Sequence, residues 1–440
     1  MAGKHFRLIV VGGGLAGLAA AVALSAEDNV ELVLVEKGPF LGGRCSSIDY
    51  RGRRLDLGQH LHMAGFVNYL KFLDLIGLSE NVWTQDRLRV PFLDETGRRR
   101  KIESIDLPPP FHLLSALVRF SFLSPLDRIR SAWPAIKVWL GDKEEEGNFG
   151  DWLADNGVRE EGIEKLWNPL SIATLNSPVD RAGLRFGAMV TRKLLLDKEE
   201  GRLGRLTVPL GRIGERAEEL LRQRGVSIKK NSAVAGIVRE GERVRGAKLA
   251  SGREIEADAV LSAVPGHRLS ELLPEEMVRS EDICPFWRLK WNSILNLHLF
   301  YEEEVMEEKF FGALGTLSQW VFNVNFDRNG EGAHVCVTVS DPGELAARPS
   351  GEVVDLLSKE LEVLLPKTGK VALKERCLIK QAKATIEPRP GVNSMRPAQK
   401  TPWPGLFLAG DWTATGWPST MEGAVKSGFL AARAVKEEAL

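Results

Sequence analysis

Three glycines and one carboxylate, Gly12, Gly14, Gly17 and Glu36, have the types and the spacing to hold a dinucleotide. Gly12 permits a tight turn, Gly14 removes the Cβ that would keep a pyrophosphate from the backbone, and Gly17 lets a helix lie close on the preceding strand. The helix that begins at Leu15 and Ala16 then offers the phosphates its unpaired N–H groups and partial positive charge. Glu36 follows Gly17 by nineteen residues, where a carboxylate accepts hydrogen bonds from the hydroxyls of an adenosine ribose, and Lys37 stands beside it. The glycine spacing alone is weak evidence; its setting makes it specific. An apolar, β-branched run at 6–11 leads into the turn, Ala- and Leu-rich helical sequence leaves it, and a second apolar run at 30–35 delivers the acid.

The rest of the chain must position that βαβ unit and whatever it serves. At 440 residues it is long enough for two or three cores. Lys plus Arg and Asp plus Glu number 59 each, so no global field draws it to nucleic acid, and any basic surface is local. Cys45, Cys284, Cys336 and Cys377 lie far apart without a C-x-x-C pair, which argues against a disulfide framework or a metal site and suits a reducing compartment. The first strand follows Met1 so closely that no signal or transit peptide is expected. No apolar run reaches the length of a membrane span, so membrane contact is expected to be peripheral.

Residues 106–141 change character and read as two helices, the second with Ser124 as N-cap, Pro125 at its first position and Asp127 in capping-box register. Arg119, Arg128, Arg130 and Lys137 alternate there with Phe120, Phe122, Trp133 and Trp139, downstream of the basic run 98–101. Such a patch suits an anionic bilayer. Helices packed over a substrate cavity, with solvated basic residues, fit the same residues equally well. A charged linker at 142–147 leads to helices over 149–175. A strand at 206–209 and a helix at 210–224 precede strands at 226–228, 233–238, 244–249 and 259–263, read as one meander. Strand patterns at 293–300, 318–324, 334–339 and 382–386, with a helix at 351–364, predict a second sheet. A strand at 404–412 ends in Gly410-Asp411, and a helix starts at Met421 with small residues Gly423, Ala424 and Gly428.

Glu36 with Gly42-Gly43-Arg44 and Ser47, followed by Asp56 and Gly58, resembles the pattern of the amine oxidase and phytoene desaturase superfamily of FAD enzymes. The resemblance moves the expected cofactor from NAD to FAD. It implies that Gly43 and Gly58 lie along the cofactor, that Arg44 neutralises the diphosphate, and that the backbone of Val234 meets the adenine. It also implies that Gly410 and Asp411 reach the ribityl and phosphate region, and that Met421, Glu422 and Ala424 bring a helix N-terminus to the pyrimidine end of the flavin. Reduction leaves negative charge at flavin N1 and O2, which such a terminus stabilises.

Gly58-Gln59-His60, the Leu-Pro-Pro-Pro-Phe-His-Leu-Leu segment from Leu107, Leu166-Trp167-Asn168-Pro169-Leu170, Ala173-Thr174-Leu175-Asn176 and the run from Ala409 to Ala424 are similar to the squalene-associated FAD-dependent desaturases. The resemblance covers nearly the whole chain, with one departure at Leu57, where a polar residue is expected. It implies an α/β fold: a discontinuous, glutathione-reductase-like Rossmann domain (1–75, 205–285 and 400–440), a helical part of a substrate domain (76–204) and its sheet (286–399). The reaction implied is reductive removal of the hydroxyl of hydroxysqualene, as in hopanoid pathways, by a hydride from reduced FAD. An allylic alcohol loses its oxygen when that oxygen gains a proton inside a dry cavity. His60 is the candidate acid, able to charge near neutrality, and Gln59 the candidate to orient the hydroxyl. Asp56 more naturally fixes its loop. Trp167, Trp412 and Trp417 either line the cavity and face a cationic carbon or pack in the core. The expected partners are a long-chain isoprenoid, an electron donor and the inner face of the cytoplasmic membrane. A carotenoid desaturase running the flavin in the opposite direction, an amine oxidase and a flavin-free prenyl-lipid carrier are the competing readings.

Overall fold

Short apolar strands with no alternation build the nucleotide-binding layer. In the computed structural model, which describes residues 5–141, 146–325 and 332–439, five parallel strands run in the order Ser227–Lys229, Val30–Val35, Phe6–Val11, Ala259–Ser262, Leu406–Leu408. Helices cover the sheet, so Leu8, Ile9, Val10, Val260 and Leu261 are almost fully buried. The helices Leu15–Leu24 and Met421–Ala439 pack against each other, and small residues set their separation: a Cβ on Gly428 would run into the carbonyl of Ala16. The four strands expected to form one meander divide between two sheets. Residues 227–229 and 259–262 belong to the parallel sheet, and the meander is Val234–Glu240, Arg243–Leu249 and Glu254–Glu256. Ala259-Val260-Leu261 is apolar without a break because both of its faces are covered. That pattern marks a central parallel strand rather than a half-exposed ribbon.

The second sheet has seven strands in the order Leu373–Ile386, Trp291–Tyr301, Ala333–Ser340, Trp320–Asn323, Phe310–Leu314, Arg89–Asp94, Arg99–Glu103. Its last two come from within 76–204, a segment expected to be helical. Pro91 and the flanking arginines break their apolar alternation, which hides them in the sequence. On Trp291–Tyr301 the two faces separate cleanly. Leu295, Leu297 and Leu299 pack with Val353, Leu357 and Leu361 of the helix Ser350–Leu364, while Ile294 and Asn296 face a cavity. The edge strand Leu373–Ile386 spans fourteen residues, against the five anticipated.

Helices roof that cavity. Ser124 caps Pro125–Leu140 as anticipated, its Oγ accepting from the Asp127 N–H at 3.2 Å and donating to the Asp127 carboxylate at 2.6 Å. Leu184–Val190 runs on into a π-helical turn, Thr191–Leu196. The strand expected at 206–209 is Leu203–Leu206, which joins His62–Met63 to Val82–Thr84. Of the expected linker, 142–145 lie outside the described residues.

Candidate active site

A cavity of about 800 Å³ runs from the glycine turn, between the two sheets, to the helices above. At its nucleotide end the Glu36 carboxylate is held open to it by two backbone donors, Gly13 N–H and Gly38 N–H, each at 2.7 Å. Gly12 takes φ +104°, a region that side chains resist. Behind the cavity wall, a Cβ on Gly17 would strike the Gly12 carbonyl, so this glycine is required for helix–strand packing. The loop bearing Arg44 lies directly on the turn, since a Cβ on Gly43 would stand 3.0 Å from the Gly14 Cα.

Arg44 and Asp411 meet across the cavity although 367 residues separate them, in a two-pronged ion pair of 2.5 and 2.9 Å. Burial opposes the Asp411 charge, yet the Arg44 guanidinium, the Ser419 hydroxyl and the nearby Arg396 hold its carboxyl below the usual carboxylate range. Arg396 is itself buried and fixes the chain after Asp411 by donating to the carbonyls of Asp411 (2.9 Å) and Trp417 (2.6 Å).

The loop 57–60 crosses the mouth of the second sheet. Asn296 Nδ2 (3.2 Å) and Gln381 Nε2 (2.9 Å) both donate to the Leu57 carbonyl, and Thr338 donates to Asn296 Oδ1 at 2.9 Å. Asp56 accepts from the Ser47 hydroxyl (2.6 Å) and the Leu210 N–H (3.0 Å), so it ties the hairpin to the start of the helix Gly211–Gln223. His60 lies 3.1 Å from the Gly58 carbonyl through Nδ1, the geometry of a donated N–H, which leaves Nε2 as the acceptor. Burial lowers the His60 pKa, an effect the Gly58 hydrogen bond only partly offsets. The resting ring is therefore mostly neutral at pH 7. Gln59 Nε2 is buried without a protein partner among the described residues and belongs to the same wall.

Gly12, Gly14, Leu15, Ala16, Glu36, Lys37, Gly43, Arg44, Gly58, Gln59, His60, Val234, Gly410, Asp411, Trp412, Trp417, Met421 and Ala424 all border the one cavity. Three anticipated residues do not: Gly17, which lies behind the wall, Glu422 and Trp167. Glu422 points away from it and accepts from Asn68 N–H (3.2 Å), Asn68 Nδ2 (2.6 Å) and Tyr69 N–H (2.9 Å). The reason is local: Phe66 stands at the N-cap of the helix Val67–Leu75 and has no side-chain acceptor, so a carboxylate from another helix does the capping. Trp167 packs edge-on to Phe149 within the main hydrophobic core and does not border the cavity. Trp412 borders the cavity, but its ring is fully buried against Phe286 and its Nε1 donates to the Val264 carbonyl at 3.0 Å. Trp417 is the accessible ring, set edge to face with Phe66. The sequence reading did not anticipate Asn296, Thr338, Gln381 or Lys193, which also border the cavity. Asn292 and Asn296, in a strand otherwise rich in leucine, are the signal that could have exposed this face.

These residues fit FAD. Gly12 and Gly17 leave no room for side chains, Glu36 is presented for a ribose, Arg44 and Asp411 offer charge to the diphosphate and ribityl, and the N-terminus of Met421–Ala439 opens on the cavity.

Residues 15–436 match the family described as flavin containing amine oxidoreductase. A hydroxysqualene dehydroxylase from Zymomonas mobilis is 25% identical over 96% of this chain and 97% of its own length. A zeta-carotene desaturase from Synechocystis is 26% identical over 98% of this chain and 97% of its own. Among solved structures, cyclohexylamine oxidase from Brevibacterium oxydans superposes with a TM-score of 0.71 over 99% of each chain at 16% identity, a likeness of fold. FAD is the cofactor of this site, and the protein is an FAD-dependent oxidoreductase. The chain belongs to the flavin-containing amine oxidoreductase family.

Proposed function

We propose that the protein removes the hydroxyl of hydroxysqualene to give squalene. The observation that carries this reading is the pair Gln59 and His60, standing where the nucleotide cleft opens into a chamber walled by Leu170, Met189, Val190, Leu194, Trp320 and Phe322. A long hydrocarbon with one oxygen needs that combination. The likeness to a hydroxysqualene dehydroxylase supports it.

FAD, when bound and reduced, supplies a hydride. The C–O bond breaks, a C–H bond forms, and the oxygen leaves as water with one added proton. Gln59 Nε2 donates a hydrogen bond to the hydroxyl oxygen, and His60 Nε2 holds the hydroxyl proton while the ring is neutral. Once protonated, His60 supplies the proton that the departing oxygen takes. The apolar chamber keeps water from the cationic carbon until hydride arrives.

The zeta-carotene desaturase matches at nearly the same identity and coverage, which favours a second reading, removal of hydride from a polyene. Product analysis separates the two. The protein, kept reduced with dithionite, is expected to turn hydroxysqualene into squalene and to leave phytoene and zeta-carotene unchanged when oxidised. Dehydrogenation of either polyene, with hydroxysqualene untouched, would replace the first reading with the second.

A further inference from the structure

Among the described residues, fifteen large hydrophobic side chains stand exposed, and nine of them fall within 107–140. Seven of the nine lie on two helices, Leu114–Arg119 and Pro125–Leu140, and Leu107 and Phe111 lie just before the first. The second helix is amphipathic in the wrong sense. Its buried face carries Asp127, Ser131, Pro134 and Val138, while Leu126, Ile129, Trp133 and Leu140 recur on the face turned outward. Ile129 is 60% exposed and Leu140 67%, and Val118 on the neighbouring helix reaches 70%. A helix folded only to serve its own core turns the apolar stripe inward. An outward stripe of this size marks a surface that something else covers.

The charges say what covers it. Four basic residues, Arg119, Arg128, Arg130 and Lys137, lie on these helices against one acid, Asp127, which pairs with Arg130, while Asp106 just before them pairs with Lys198. The rim is basic. A second copy of the chain set face to face would oppose like charges, whereas anionic headgroups with acyl chains beneath match both the rim and the stripe. We infer that Leu114–Arg119 and Pro125–Leu140 seat the protein on an anionic lipid bilayer, apolar face down, in the plane of the membrane. No helix among the described residues is long and apolar enough to cross it. The placement also shortens a route. Pro125–Leu140 packs on the π-helical turn Thr191–Leu196, whose Lys193 and Leu194 border the cavity, so one layer of chain separates the lipid-facing surface from the substrate chamber. That route, though not the docking, rests on the proposed reaction.

The test is sedimentation of the full-length holoprotein with vesicles of phosphatidylcholine, with and without phosphatidylglycerol. Wild type is expected to pellet with the anionic vesicles, less with the neutral ones, and less again in high salt. The double variant Ile129→Glu, Trp133→Glu is expected to lose about tenfold or more in vesicle affinity, with flavin absorbance and turnover of detergent-dispersed substrate unchanged. Arg119→Glu is expected to weaken only the anionic preference. Wild type left in the supernatant, or a double variant that pellets like wild type, would overturn the inference. So would a solution dimer that the double variant dissociates, since the face would then belong to a second copy. Because sedimentation itself needs no substrate, a protein that pellets with vesicles yet leaves hydroxysqualene untouched upholds the docking and removes the reaction.

Discussion

His60 is where burial and chemistry pull in opposite directions. Its Nδ1 is placed on the Gly58 carbonyl and its surroundings lower its pKa, so at pH 7 most molecules carry a neutral ring. If the protonated ring delivers the proton to the leaving oxygen, the active fraction grows as the pH falls toward the depressed pKa. The rate of hydroxysqualene reduction is therefore expected to rise about tenfold per unit as pH is lowered through the range above that pKa. His60→Asn is expected to be slow and to lose this slope. A wild-type profile that is flat, or that falls on acidification while flavin stays bound, would remove His60 from the proton path. Gln59 was legible as a candidate from its place beside Gly58. The amides that hold their loop, Asn296 and Gln381, were not, because they reach Leu57 from strands more than two hundred residues away.

Elements differ in how openly the sequence declares them. The turn at 12–17, the acid at Glu36 and the cap at Ser124 are local patterns, each written within a few dozen residues, and each stands in the structure as the spacing implies. Glu422 shows the opposite case. Its place in a Met-Glu-Gly-Ala helix start pointed to the flavin, but what it serves is the unsatisfied N-terminus of Val67–Leu75, a need visible only once the two helices are side by side. Glu422→Ala strips one backbone N–H at Asn68, one at Tyr69 and the Asn68 amide of their acceptor. A loss of about 1–3 kcal/mol in unfolding free energy is expected, with flavin content per folded molecule unchanged, read by denaturant titration and absorbance. Lost flavin at unaltered stability would return the carboxylate to the cofactor.

At the scale of the molecule, two sheets share one cavity, and their pairing is what the sequence conceals. Arg89–Asp94 lies parallel to Phe310–Leu314, and Trp291–Tyr301 joins Leu373–Ile386, partners with no common local period to announce them. Closing those long loops brings Arg44 of the first unit to Asp411 of the last and sets the apolar chamber above the nucleotide cleft. In the proposed reaction hydride moves across this seam from cofactor to substrate carbon. The most direct measurement is a single anaerobic turnover in D₂O, in which flavin-reduced protein is mixed with hydroxysqualene and the product is weighed by mass spectrometry. Squalene carrying one deuterium, formed in step with flavin reoxidation, is the expected result. Unlabelled squalene, or reduced flavin that persists beside unchanged hydroxysqualene, would contradict it.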